Sequence, residues 1–134
     1  MPEVSTYDPK KVTVSIGGRV ITGFAADGVV TLTHNEDAVT PSVGAKGDVA
    51  YSENANNSGH AALPLMSTSS SLAYLREICA KRRPVRFSVS DVNDADAIQV
   101  SEENCRILKM PDTPRSKDPT TVTVNVYIPD LNYR

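Results

Sequence analysis

The chain is predicted to be mainly β: an antiparallel barrel or sandwich with one flanking α-helix and a long projecting loop and hairpin. Three observations carry that expectation. Apolar and polar residues alternate with period two in segments from Val12 to Ile128, the pattern of half-buried strands. One segment, SLAYLREICAKRR at 71–83, has apolar residues at helical spacing instead. Turn-forming residues crowd the interval 35–59, where Pro41, Gly44, Gly47, Asn54, Asn56, Asn57, Ser58 and Gly59 punctuate a stretch too long for a tight turn.

Taken in order, KVTVSI sets Val12, Val14 and Ile16 against Thr13 and Ser15, and Gly17-Gly18 supplies a hairpin turn into RVITGF. Asp27-Gly28 marks the next turn. VVTLTH at 29–34 then places Val30 and Leu32 opposite Thr31 and Thr33. Residues 35–47 read as a loop with short extended pieces. DVAYSE and HAALPLM read as the two arms of a hairpin around ENANNSG, so the projecting element covers about 37–59.

A helix follows at about 69–82. One of the serine or threonine hydroxyls of 67–71 caps its start, Leu72, Leu75, Ile78 and Cys79 form its apolar stripe, and Lys81, Arg82 and Arg83 complement its C-terminal dipole. Pro84 ends it. VRFSVSD aligns Val85, Phe87 and Val89. Ile98, Val100 and residues 105–110 suggest one further strand or a pair, and 111–119, with three prolines, reads as an exposed connection. The last strand, 120–130, alternates Val122, Val124, Val126 and Ile128 with Thr121, Thr123, Asn125 and Tyr127. At 134 residues, 1–134 is expected to be a single domain with one core.

Composition narrows the function. Lys and Arg total 14 against 16 Asp and Glu, a formal charge of −2, which gives no general attraction for nucleic acid or an anionic membrane. No apolar run approaches the roughly 20 residues of a membrane span, and MPEVSTYDPKK lacks the pattern of a signal peptide, so a cytoplasmic product is expected. GAKG at 44–47 misses the phosphate-loop spacing and precedes a strand pattern. His34 and His60 stand alone, and DVNDAD at 91–96 lacks the glycine and the twelfth-position glutamate of a calcium loop. No G-x-S-x-G elbow is present. The expectation is a non-enzyme without cofactor or metal.

Cys79 and Cys105 are too few for a zinc quartet. Unpaired thiols and a disulfide, within or between subunits, stay open as readings. Lys81, Arg82 and Arg83 lie in the one basic cluster, KRRPVR, whose readings are a solvated helix end, a nucleic-acid contact, or a salt-bridge cluster to an acidic neighbouring subunit. The polar faces of 11–16, 29–34 and 120–126 are mostly Thr, Ser and Asn. Threonine is a good strand former, which accounts for this simply. A wet but neutral face also suits the wall of a channel that carries a polyanion without holding it.

The ordered set of features resembles the small tail tube proteins of contractile-tailed bacteriophages, relatives of the type VI secretion tube protein. Its elements here are Tyr7, Pro9 and Val12; Ile16, Gly18, Ile21, Gly23 and Phe24; Asn35, Glu36 and Asp37; Val43, Gly44 and Gly47; Asn57, Ser58 and Gly59; and Thr68, Ser69, Ser71 and Leu75. The likeness is close over 7–75 and thins over 85–134, apart from Lys109-Met110-Pro111-Asp112. It implies a β-barrel subunit assembled as hexameric rings stacked into a tube, whose lumen conducts genomic DNA without specific binding. The partners implied are further copies of itself, the tail sheath protein, a tape measure protein, and baseplate and tail-terminator proteins. The location implied is the virion tail, assembled in the host bacterial cytoplasm.

The resemblance also places a subunit interface on the projecting element, at Val43, Gly44, Lys46, Gly47, Asp48, Tyr51, Asn54, Asn56, Asn57 and Ser58. Two alternatives accompany the tube reading. One is a tube-terminator or baseplate-hub protein of the same particle. The other is a monomeric β-sandwich binding module, for example for carbohydrate, which the absence of Trp and only seven Tyr and Phe disfavour.

Overall fold

In the computed structural model, which describes residues 12–26, 28–92, 98–111 and 120–132, the period-two segments form strands of an antiparallel, sandwich-like fold. β1 (Val12–Ile16) turns through Gly17 and Gly18, both at positive φ (62° and 87°), into the two-residue β2 (Arg19–Val20). That backbone matches the strand twist and suits glycine at both positions. β7 (Val85–Asp91) and β8 (Gln99–Cys105) complete the first sheet, in the order β2-β1-β7-β8.

The second sheet has the order β3-β6-β9, from Thr31–His34, Gly59–Met66 and Thr121–Ile128. β6 pairs with β9 along its whole length, Gly59 opposite Ile128 through to Met66 opposite Thr121. The sheets meet at two corners, where Phe24 bridges Leu65 and Arg106 bridges Tyr127. The barrel half of the expectation is thereby corrected: the corners are single bridges, and among the described residues no closed ladder runs round the fold.

The alternation read in the sequence sorts side chains as it should. Val14 and Ile16, Phe87 and Val89, Leu63 and Leu65, and Val122 to Ile128 at every second position are buried between the sheets. The helix, α1 (Ser71–Lys81), adds Leu72, Leu75 and Ile78 to that core. It is fastened at both ends. Tyr74 donates to the Ile16 carbonyl (2.9 Å) and Ser71 Oγ accepts the Thr22 amide (3.0 Å), while the Cys79 thiol points at the Ile107 carbonyl (3.7 Å). The expected hydroxyl cap is not formed at the N-cap itself: that residue is Ser70, whose side chain makes no capping bond, and Ser69 Oγ before it accepts the Ser71 amide at 3.2 Å. At the other end Arg82 takes a left-handed conformation (φ 55°), with its amide bonded to the Cys79 carbonyl.

One strand pairing departs from expectation. DVAYSE pairs with the preceding segment instead of with HAALPLM: β4 (Val39–Val43) and β5 (Val49–Glu53) form a two-stranded sheet of their own. β6, whose every second residue is buried, has gone to the core sheet. Pro41 and the flanking glycines suggested loop, yet a two-stranded ribbon tolerates a proline because a strand edge can lack a donor. Tyr7 and Pro9 of the N-terminal motif, Asp27, Asp94 and Asp96 of DVNDAD, and 112–119 lie outside the described residues.

Candidate assembly site

The β4–β5 hairpin is an arm. Every residue from 35 to 53 is exposed, although the pairing is regular, from Val39 opposite Glu53 to Val43 opposite Val49. Period two in both strands puts Val39, Pro41, Val43, Val49 and Tyr51 on one face, with Glu53 at its inner end, and Thr40, Ser42, Ala50 and Ser52 on the other. The apolar face has no cover: Val43 is 70% exposed, Val49 51% and Tyr51 72%. An isolated two-stranded ribbon is marginal in water, and each such side chain gains roughly 1.5–3 kcal/mol when fully buried. The arm thus carries an unpaid contact surface of the kind that marks a protein interface.

The tip is built from Gly44, Lys46, Gly47 and Asp48. The Gly44 amide donates to the Asp48 carbonyl (2.7 Å), the Gly47 amide to the Gly44 carbonyl (3.0 Å), and Gly47 holds φ 91°. Of the interface residues expected from the sequence, Val43, Gly44, Lys46, Gly47, Asp48 and Tyr51 occupy the outer part of the arm. Asn54, Asn56, Asn57 and Ser58, expected at a hairpin tip, lie at its base.

That base is a lock of short polar side chains. Asn54 donates to the Asp37 carbonyl (3.0 Å), Asn56 Nδ2 donates to the Glu36 carboxylate, and Ser58 Oγ accepts from Asn35 (3.1 Å). Asn57 Nδ2 is directed at Asp130 Oδ1 (2.8 Å), the Leu131 carbonyl (3.0 Å) and Asn132 Oδ1 (3.1 Å), and the Leu131 amide returns a bond to the Asn57 carbonyl (2.9 Å). Ser58 is buried. Asparagine competes well for backbone partners in such connections, which is why a cluster expected at a hairpin tip serves as an anchor.

The helix end makes a second feature. Lys81 pairs with Glu77 one turn back (2.7 Å), a hydrogen bond that holds the Glu77 carboxyl below its usual range. Arg82 offers its carbonyl to Arg106 (2.9 Å). Between the C-terminal half of α1 and residues 106–110 runs a groove rimmed by Arg76, Arg82, Arg106 and Lys109, with Leu108 beside them 69% exposed. Arg83 is exposed next to it. Cys79 lines this groove, whereas Cys105 is fully buried, with its thiol pushed up to about 11 by burial. Both thiols are free. The sequence reading did not single out Val39 and Pro41 on the exposed apolar face, nor Arg76, Arg106, Leu108 and Lys109 in the groove. The first pair had a legible signal in V-x-P-x-V; the groove joins segments about thirty residues apart and had none.

No grouping of His, Cys, Asp and Glu among the described residues is suited to a metal. What the geometry provides is a contact surface on an arm, carried by a β-sandwich. The chain belongs to the bacteriophage PhiTE tail tube protein family, whose model matches residues 4–132. It is a family of structural tail proteins and not of enzymes. No curated protein matches the chain. The fold is similar to the sheath/tube terminator of the PVC extracellular contractile injection system in its extended state (10% identity, TM-score 0.59, 100% of this chain and 98% of that one). It is also similar to the tube-terminating cap of the anti-feeding prophage (8% identity, TM-score 0.54, 99% and 95%).

Proposed function

We propose that 1–134 is one domain and the subunit of a contractile phage tail tube, assembled as hexameric rings that stack through the arm. The observation that carries this reading is the uncovered apolar face of a regular hairpin in a tail tube family member. The arm and the surfaces it can reach lie on different parts of the chain, so the contact is head-to-tail, the kind that generates rings and open polymers. Sheath outside, tape measure protein and then DNA inside, and terminator and baseplate proteins at the ends are the partners of such a tube, which is built in the host cytoplasm.

The outward face of β3-β6-β9 supports a channel wall. Thr31, Thr33, Thr121, Thr123 and Asn125 point outward there with His60, Ala62, Pro64, Met66 and Tyr127, strand positions without one Asp, Glu, Lys or Arg, with Lys109 at the edge beside His60, Asn125 and Tyr127. A polyanion slides past a neutral wall without the counterion-linked attachment that fixed cations produce.

A second reading, a tube terminator, is favoured by the two solved structures of similar fold, which are a terminator and a cap. Electron microscopy of the purified protein separates the readings. Tubes of stacked six-fold rings support a tube subunit and isolated rings a terminator. A monomer persisting at high concentration overturns both.

A further inference from the structure

Net charge conceals a division. Within 35–54 the arm carries Glu36, Asp37, Asp48 and Glu53 against Lys46, four carboxylates to one ammonium. The groove between α1 and 106–110 carries Arg76, Arg82, Arg106 and Lys109, and no carboxylate lines it among the described residues. The nearby Glu77 is already paired with Lys81. Ile107 and Met110 give this basic rim an apolar floor, with Ala80 and Leu108 exposed beside them, as Val39, Val43, Val49 and Tyr51 give the acidic arm an apolar face.

The receiving cations are partly fixed in advance. The Arg106 guanidinium is held by the Arg82 carbonyl (2.9 Å). A fixed guanidinium loses less freedom on meeting a carboxylate than a mobile one.

We propose that this groove is the seat for the arm of a second copy, with apolar face on apolar floor and arm carboxylates against the basic rim. The proposal rests on the arm being the assembly element. It assigns the receiving half of the contact, and it makes assembly weaken with salt, since rim pairs are screened within about 10 Å at 0.1 M ionic strength.

The test uses the full chain. Benzoylphenylalanine replaces Tyr51, the protein is mixed with isotope-labelled wild type, and irradiated assemblies are digested for mass spectrometry. Cross-links from one copy's arm to another copy's 106–110 are expected; cross-links confined to other segments overturn the proposal. In parallel, Arg76→Glu with Lys109→Glu, and Asp48→Lys with Glu53→Lys, are each expected to raise the concentration needed for assembly about tenfold or more, equivalent to about 1.4 kcal/mol. Combining all four is expected to recover most of the loss.

If the groove reversal leaves assembly unchanged while deletion of 39–53 abolishes it, the seat is wrong and the arm reading stands. If deletion of 39–53 also leaves assembly unchanged, the arm reading falls with it. Retention of duplex DNA by the wild type, lost in the groove reversal with assembly intact, reassigns the groove to nucleic acid and overturns the proposal.

Discussion

Pro41 lies directly opposite Tyr51 on the arm, and their side chains share one face with Val39, Val43 and Val49. Neither residue touches the core, since the whole of 35–53 is exposed. A hairpin whose apolar residues agree on a face, with nothing behind it, is shaped for a partner. On the proposed function, stability and assembly are therefore separable.

Val43→Ser combined with Tyr51→Ser tests that separation. Surface substitutions away from special features change stability by within about 0.5 kcal/mol, so the urea midpoint is expected to hold. Tubes or rings are expected to disappear from electron micrographs at the wild-type working concentration. Normal assembly by this variant would show that the apolar face is not the contact.

Asn57→Ala attacks the base of the arm. The change removes the side-chain bonds to Asp130, Leu131 and Asn132 and is expected to cost about 1–3 kcal/mol, the range for stranding partly buried polar partners. Hydrogen exchange should quicken at the Leu131 and Asn35 amides, whose acceptors are the Asn57 and Ser58 carbonyls, while α1 is unaffected. Equal quickening everywhere would mean that Asn57 contributes to global stability and does not lock the arm locally.

Much of this architecture was legible. Val12 to Ile16, Thr31 to His34 and Thr121 to Ile128 alternate with period two and became strands; the anticipated face is buried in the last and, from Val14, in the first, while Leu32 is half-buried in the short middle one. Leu72, Leu75 and Ile78 sorted the helix in the same way. The arm was legible as a projection but not as a pairing. HAALPLM has an arm-like length, and only the need of Leu63 and Leu65 for a core sends it to β9 and frees β5 for β4. The groove was not legible at all, because Arg76 and Lys109 meet only through the packing of α1 against 106–110.

Gly59 sits where β6 leaves the arm, and a Cβ there would stand 2.5 Å from Leu131 Cδ2 and 2.7 Å from the Thr33 carbonyl oxygen. The leucine end can turn aside; the backbone oxygen is held by the β3–β6 ladder. Gly59→Ala is expected to destabilise the chain by about 1–3 kcal/mol, as overpacking does, read as a lower denaturant midpoint. An unchanged midpoint would mean that the β3–β6 register adjusts freely.

The neutral wall is testable by access. With Cys79→Ser as background, Thr123→Cys in assembled tubes should react with a small maleimide but only slowly with one carrying a long polymer, whereas the free subunit reacts with both. Equal reaction of the assembled form with both reagents would place the β3-β6-β9 face outside the tube.

The last prediction concerns Cys105, which is buried between β8 and the core with its thiol shifted from 9.0 to about 11, chiefly by burial. The unfolded chain ionises this thiol near 9.0 and the folded chain only near 11, so rising pH favours unfolding between those values. Below pH 9 both states hold the proton and the full stability is present. At pH 11 the unfolded thiol is almost fully ionised and the folded one half ionised, so about 2 kcal/mol is lost by that pH. Lysines and tyrosines also titrate in this window, so the comparison is with Cys105→Ala, which keeps those groups and lacks the thiol. The stability advantage of wild type over Cys105→Ala at pH 8 is expected to shrink by about that amount at pH 11, measured by urea unfolding under reducing conditions. A constant difference across the window would show that the thiol meets water in the folded state, and maleimide labelling of Cys105 as fast as of Cys79 would agree.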